Sequence, residues 1–125
     1  LWAWLNELRR RAADEGRTLR VYSYSPIEAT KLRHIRQSDD IDDFLVSDQW
    51  VDLLPLMRAK FWTNDGHGLK AMARASGFEW RDEDPGGLAS IGWYHDALDG
   101  VNRDANINRI LQYNEDDCAA TAALR

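Results

Sequence analysis

Apolar positions fall first into a helical period. Leu1, Leu5, Leu8 and Ala12 share one face and Arg9, Arg10 and Arg11 fall off it. Gly16 then ends the helix as a residue free to take positive φ. From Leu19 to Tyr24 the period drops to two, with Leu19, Val21 and Ser23 facing one way, which predicts a strand. Ser25-Pro26-Ile27-Glu28 stops that strand and opens a second helix: Ser25 suits the cap, Pro26 the first turn, and Glu28 completes a capping box. This helix is expected to reach about Gln37. Asp39 or Asp40 is expected to cap a short third helix carrying Ile41, Phe44 and Leu45. Trp50-Val51-Asp52 predicts a second short strand, and Asp52 a cap for a helix from Leu53 to about Lys60 with Pro55 in its first turn.

Beyond Lys60 the pattern is helical. Asn64-Asp65-Gly66 marks a turn, Leu69, Met72 and Ala73 a short helix closed by Gly77, and Asp84-Pro85-Gly86-Gly87 a loop. Leu88 to Leu98 predicts a helix, and a last helix starts near Asp104 and runs to the end of the sequence. The order helix, strand, helix, helix, strand, then helices is α/β, with too few strands for a self-sufficient sheet.

The 125 residues suffice for one domain and one core. With 44% hydrophobic and 30% charged residues the chain has the composition of a globular protein, and it has neither an apolar run of membrane-spanning length nor a signal-peptide pattern. One cysteine, Cys118, excludes an internal disulfide and a multi-cysteine zinc site, so a reducing cytoplasmic setting is the expectation and Cys118 reads as a small core residue. The net charge of −5 argues against a basic nucleic-acid binder that relies on many phosphate contacts. It leaves room for a nuclease whose carboxylates recruit cations that in turn meet the phosphate. The six tryptophans read as core and interface packing. The opening Leu1-Trp2 and an end at Arg125 among helix formers predict a piece of a larger domain.

The strongest chemical signal is Tyr113-Asn114-Glu115-Asp116-Asp117 on the last helix. Tyr113 and Asp117 lie one turn apart on the same face, and Asp117 shares its stripe with Leu124. Its carboxylate is therefore expected against the core side, where it needs a cation, a donor or a proton, whereas Glu115 and Asp116 are expected to point to solvent. A solvated acidic face is the competing reading. Glu28, one turn after the first strand, stands at the edge where ligands of open α/β sheets collect, although the capping box explains it fully. Asp52 reads as an N-cap or as an outer residue of the same site. Lys31, Arg33 and Arg36 on the second helix are candidate phosphate contacts or simply an exposed face. His67 reads as a turn residue, and nothing is assigned to His34 or His95.

Together the segments resemble a known family. Leu19 to Leu32 looks like the second motif of DEDD exonucleases, Trp50 to Met57 like the strand and helix after it, and Gly68 to Trp80 like the segment S-L-K-x-L-A-x-x-x-G. Tyr113 to Asp117 fits a third motif of the form Tyr-x-x-x-Asp. Within that superfamily the chain is most similar to the YprB-like RNase H-like domain of predicted RecB-like nucleases, through Glu79 to Gly87 and Tyr113 to Asp117. The resemblance implies the C-terminal part (1–125) of one RNase H-like, exonuclease-type α/β domain, helix-rich because its first strands are cut away. The first acidic motif, Asp-x-Glu, is absent and would precede Leu1, and Glu28 stands where the better-known proofreading enzymes carry Asp.

The function so implied is metal-dependent 3′–5′ hydrolysis of a nucleic acid, DNA or RNA, at a single-stranded end. The cofactors would be two ions, Mg²⁺ or Mn²⁺, on an all-carboxylate site. Asp117 and Glu28 would be metal ligands, Tyr113 would orient the attacking water, and Lys31 and Arg33 would touch substrate. The 125 residues alone would be inactive, and their partners would be other domains of a larger nuclease or helicase. The rival reading is a non-catalytic module that docks a strand or a protein, with the tryptophans around Trp93-Tyr94 serving an interface.

Overall fold

The computed structural model describes residues 1–35, 38–83 and 86–125. They form helix α1 (Trp2–Asp14), strand β1 (Val21–Ser23), helices α2 (Pro26–Ile35) and α3 (Asp39–Val46), strand β2 (Trp50–Asp52), and helices α4 (Leu53–Lys60), α5 (Leu69–Ala75), α6 (Gly87–Leu98) and α7 (Arg103–Ala123). The chain divides into two compact units, Leu1–Lys60 and Phe61–Arg125.

In the first unit β1 and β2 pair in parallel, with Val21 opposite Trp50, Tyr22 opposite Val51 and Ser23 opposite Asp52. Parallel pairing needs a crossover, and α2 with α3 supplies it. The core gathers Trp2 and Leu5 from α1, Leu32 from α2, and Ile41, Phe44 and Leu45 from α3, with Val21, Ala29 and Trp50 packed against it. Phe44 is the hub: its ring centroid lies 5.5 Å from that of Trp2 and 6.0 Å from that of Trp50, the latter edge-on. Burying side chains such as Phe44 and Ile41 contributes roughly 1.5–3 kcal/mol each.

Helix α1 differs from its expected face. Leu1 is 76% exposed and Trp2 takes the buried place beside Leu5. A terminal residue has no preceding turn to pack behind, and indole offers more apolar area than the leucine it displaces. Arg9, expected off the face, is half-buried: its guanidinium lies 4.7 Å from the Phe44 ring centroid and its Nε donates to Gln49 Oε1 at 3.0 Å. The stem of an arginine covers apolar surface while its head finds acceptors. Gly16 closes α1 as expected, at φ +67, with Gly16 N–H donating to the Ala13 carbonyl and Arg17 N–H to that of Ala12.

The first strand is shorter than expected, Val21–Ser23 rather than Leu19 to Tyr24. Helix α3 takes Ser38, not Asp39 or Asp40, as its cap position, with Asp39 and Asp40 in its first turn, where carboxylates suit the helix dipole. Arg36, Gln37, Asp84 and Pro85 lie outside the described residues, and with them the expected end of the second helix, one candidate phosphate contact and half of the expected loop. In the second unit α5 and α6 both pack on α7, burying Met72, Ala73, Trp93, Ala97, Tyr113 and Ala120.

Candidate active site

Helix α7 carries the core of the site, and the segment between α5 and α6 straps it. Three successive residues of that strap grip successive places on α7 in antiparallel order. Trp80 Nε1 donates to Asp117 Oδ1 at 2.9 Å. Arg81 engages Asp116 twice, through its backbone N–H to Oδ2 at 3.0 Å and Nε to Oδ1 at 2.7 Å, and also reaches Glu115 Oε2 at 2.6 Å. Asp82 accepts from Nε and Nη2 of Arg109, the latter at 2.9 Å, and the Arg109 guanidinium stacks 3.9 Å from the Trp93 ring centroid.

This strap explains how α7 tolerates three consecutive acids. Arg81 bridges Glu115 and Asp116, and its single positive charge offsets part of the repulsion expected of the run. It also corrects the expected orientation: Asp116 is the buried acid, 5% exposed, while Asp117 is only half-buried. The i, i+3 spacing of Tyr113 and Asp116 places them on one stripe as effectively as the i, i+4 spacing that the sequence suggests. Burial alone would push the Asp116 carboxyl up, but the Arg81 side chain, its backbone N–H and its charge together hold it below its ordinary value.

Tyr113 is buried, its ring edge-on to Trp93 with centroids 6.3 Å apart. Lys70 on α5 donates from Nζ to its hydroxyl at 3.0 Å. The same Nζ is 5.0 Å from the ring centroid, and that closeness follows from the hydrogen bond rather than from a cation seated on the ring face. Trp93, which the docking-module reading sets at an interface, is thus a core residue beneath Arg109, in line with the packing role expected of the tryptophans, while Tyr94 is exposed. Cys118, expected in the core, is exposed.

In the first unit Glu28 is exposed in the first turn of α2 and accepts from Ser25 Oγ at 3.0 Å, while Ile27 N–H donates to the same Oγ at 3.3 Å. Ser25 therefore caps α2 through its hydroxyl, and Glu28 holds that hydroxyl rather than the Ser25 backbone N–H that a capping box would use. Asp52 is an N-cap as well, its Oδ1 accepting from Leu54 N–H at 3.0 Å. Asp52 is the last residue of β2 and Glu28 lies in the helix after β1, so both acids come at the C-terminal ends of the two parallel strands. Lys31 is exposed, and Arg33 is bound to Asp42 Oδ1 at 2.7 Å, tying α2 to α3 rather than standing open for substrate. His67 bonds the Phe61 carbonyl at 2.8 Å and serves its loop. Tyr113 and Asp117 thus belong to the second unit and Glu28, Lys31 and Arg33 to the first.

The sequence reading missed Lys70, Trp80, Arg81 and Arg109. The acidic run on the last helix calls for a cationic partner, but nothing in its spacing singles out Arg81 or the strap that carries it. The signal for Lys70 was its place in the Gly68 to Trp80 segment, beside apolar helix positions.

A family model of the RNase_H superfamily, RNase_H_2, matches residues 3–125, and the chain belongs to this family. No curated protein and no solved structure matches the chain. The family gives the chain a nuclease-like function on nucleic acid, and a helix-rich architecture with a two-stranded parallel sheet among the described residues is compatible with an α/β member of it.

Nucleases of this kind generally use divalent metals. The carboxylate oxygen of Asp117 has the hard-donor chemistry that Mg²⁺ and Mn²⁺ prefer. In number the donors fall short: among the described residues no three His, Cys, Asp or Glu side chains gather where one ion could meet them. The described residues therefore do not by themselves fit a metal centre.

Proposed function

We propose that this chain contributes Tyr113, Asp117 and Glu28 to a metal-dependent, 3′–5′ exonuclease-type phosphodiesterase of the YprB-like kind, whose Asp-x-Glu carboxylates precede Leu1. The observation that supports it is the fate of the acidic run on α7. Glu115 and Asp116 are taken by Arg81, whereas Asp117 receives only the neutral indole N–H of Trp80 and pairs with no cation among the described residues. A half-buried carboxylate kept apart from its neighbours' arginine is free for an external cation, on the same helix as Tyr113 and one turn from it.

In this reading Asp117 and Glu28 hold metal, Mg²⁺ or Mn²⁺, Lys31 lies near the strand, and Tyr113 orients the attacking water through its hydroxyl. The substrate is a single-stranded end of DNA or RNA, the setting is cytoplasmic, and the partners are other domains of a larger nuclease or helicase chain. No helix among the described residues is long and apolar enough to cross a membrane.

The test is hydrolysis of end-labelled single strands by the full-length protein in Mn²⁺ and in chelator. Cleavage should need metal, disappear in Asp117→Asn, and slow about a hundredfold in Tyr113→Phe, the loss expected when a reacting group is misplaced. Equal turnover of wild type and both variants, with chemistry rate-limiting, overturns the proposal. A non-catalytic docking module is the second reading. It is favoured by the apolar stripe on α6, where Leu88, Ile91, Tyr94 and Leu98 are all at least half exposed.

A further inference from the structure

The hydrogen bond between Lys70 and Tyr113 has a fixed direction. An ammonium has three donors and no acceptor, so the Tyr113 oxygen accepts and the hydroxyl's own proton points elsewhere. Among the described residues no group accepts that proton, and no carboxylate pairs with Lys70. Lys70 is half-buried, so its charge is only partly hydrated. It stands one hydrogen bond from the candidate tyrosine in a chain of net charge −5, where carboxylates are plentiful. An unpaired, part-buried cation beside a hydroxyl locked as a donor makes a pair that offers hydrogen bonds and accepts none. Its complement is an oxygen rich in lone pairs, and anionic oxygen most of all.

We infer that Lys70 is a phosphate-contacting residue of this site: its ammonium takes a non-bridging phosphodiester oxygen of a nucleic-acid strand and at the same time holds the Tyr113 hydroxyl as a donor. This rests on the reading that the Tyr113 face meets nucleic acid. It adds a substrate contact on α5, whereas Arg33 of α2 is occupied by Asp42. It also gives the tyrosine a defined polarity, because a hydroxyl whose oxygen is occupied can orient a water or phosphate oxygen only by donating to it.

The seat uses a permanent side-chain charge and needs no metal, so it is measured in chelator, where no cleavage occurs. The experiment is equilibrium binding of labelled single-stranded DNA and of RNA of the same sequence to the full-length protein, over a range of salt. Lys70→Met, which keeps the stem and removes the charge, should weaken binding about tenfold at low salt and reduce the log–log salt slope by about 0.7, the value of one phosphate contact on a single strand. Lys70→Arg should restore most of both. Tyr113→Phe, which keeps the ring packed on Trp93, should weaken binding less, and its effect should shrink when Lys70 is already Met, because the two residues act as one seat. A Lys70→Met protein that melts like wild type with unchanged affinity and salt slope overturns the inference while leaving the nucleic-acid reading standing. Wild type that binds neither strand overturns both. A loss in Lys70→Met that Lys70→Arg does not recover, with Tyr113→Phe unaffected, also overturns it, since a packing role alone gives that pattern.

Discussion

Arg81 closes on Asp116 from two directions, its backbone N–H on one carboxylate oxygen at 3.0 Å and its side-chain Nε on the other at 2.7 Å. A single residue thereby fixes both the strap and the buried face of α7. The arrangement leaves no room for a donor at Asp116. In Asp116→Asn the amide nitrogen faces one of the two Arg81 donors, and one hydrogen bond becomes a contact between donors. The expected loss of stability is about 1–3 kcal/mol, the cost of stranding a buried polar group. Urea unfolding of the variant against wild type measures it, and an unchanged midpoint would show that Arg81 rearranges freely.

The same pair sets an acid limit. Asp116 is held below its ordinary value in the folded protein, so the unfolded chain binds its proton first as pH falls. The stabilisation is fully present above the ordinary carboxylate range, near pH 4. It is lost as pH falls through the lower folded value. Wild type should therefore lose stability steeply below about pH 4, and Asp116→Asn should lose less over the same interval. Parallel curves of melting temperature against pH for the two proteins would assign the acid sensitivity elsewhere.

The core of the first unit predicts a contrast that periodicity alone inverts. Phe44 touches Trp2, Trp50 and Arg9, so Phe44→Ala should cost about 3–5 kcal/mol. Leu1→Ser, at a position 76% exposed, should change stability by less than about 0.5 kcal/mol. Denaturant titration of both variants checks the pair, and a large effect at Leu1 would restore it to the core.

What the sequence revealed and what it hid divide along one physical line. Element order, the capping roles of Ser25 and Asp52, and the glycine closures at Gly16 and Gly77 were legible, because each is decided within a few residues. The nearness of Tyr113 and Asp117 was legible too, since helix geometry fixes it. The strap was not: Trp80 to Asp117 and Arg81 to Asp116 join residues 37 and 35 positions apart, and no local period encodes such pairs. The error at Asp116 has the same origin. Spacing places three acids around a helix, but which of them turns inward is decided by a partner from another segment.

Trp80 offers a test of how Asp117 is aimed. The indole N–H holds Oδ1, while the ring stands edge-on to Phe78 with centroids 5.0 Å apart. Trp80→Phe keeps an aromatic ring against Phe78 and removes the donor. In the proposed nuclease it should slow cleavage about tenfold and raise the Mn²⁺ concentration needed for half-maximal rate, with a smaller effect on melting, as expected when a residue behind a metal ligand is lost. Loss of stability with unchanged metal dependence would make Trp80 a packing residue only.

Metal capture by this chain alone is limited by the oxygens it can offer. Mg²⁺ sheds its water reluctantly and is captured tightly only where several oxygens are already fixed around it. In the second unit Asp117 offers one carboxylate, partly engaged by Trp80, while its neighbours Glu115 and Asp116 are held by Arg81. In the first, Glu28 is bonded to Ser25 and Asp52 to the backbone of α4. Recruiting Glu115 or Asp116 would mean breaking the arginine pair that keeps the acidic run tolerable. The 125-residue chain should therefore bind Mg²⁺ only weakly, in the millimolar range, and cleave no nucleic acid, whereas a protein that also supplies the Asp-x-Glu carboxylates should do both. Calorimetric titration with Mg²⁺ and a cleavage assay in Mn²⁺, each repeated on Asp117→Asn, decide it. Micromolar binding or chelator-sensitive cleavage by the chain alone, abolished in Asp117→Asn, would mean that a complete ligand set lies within these residues and that the proposed division of the site is wrong.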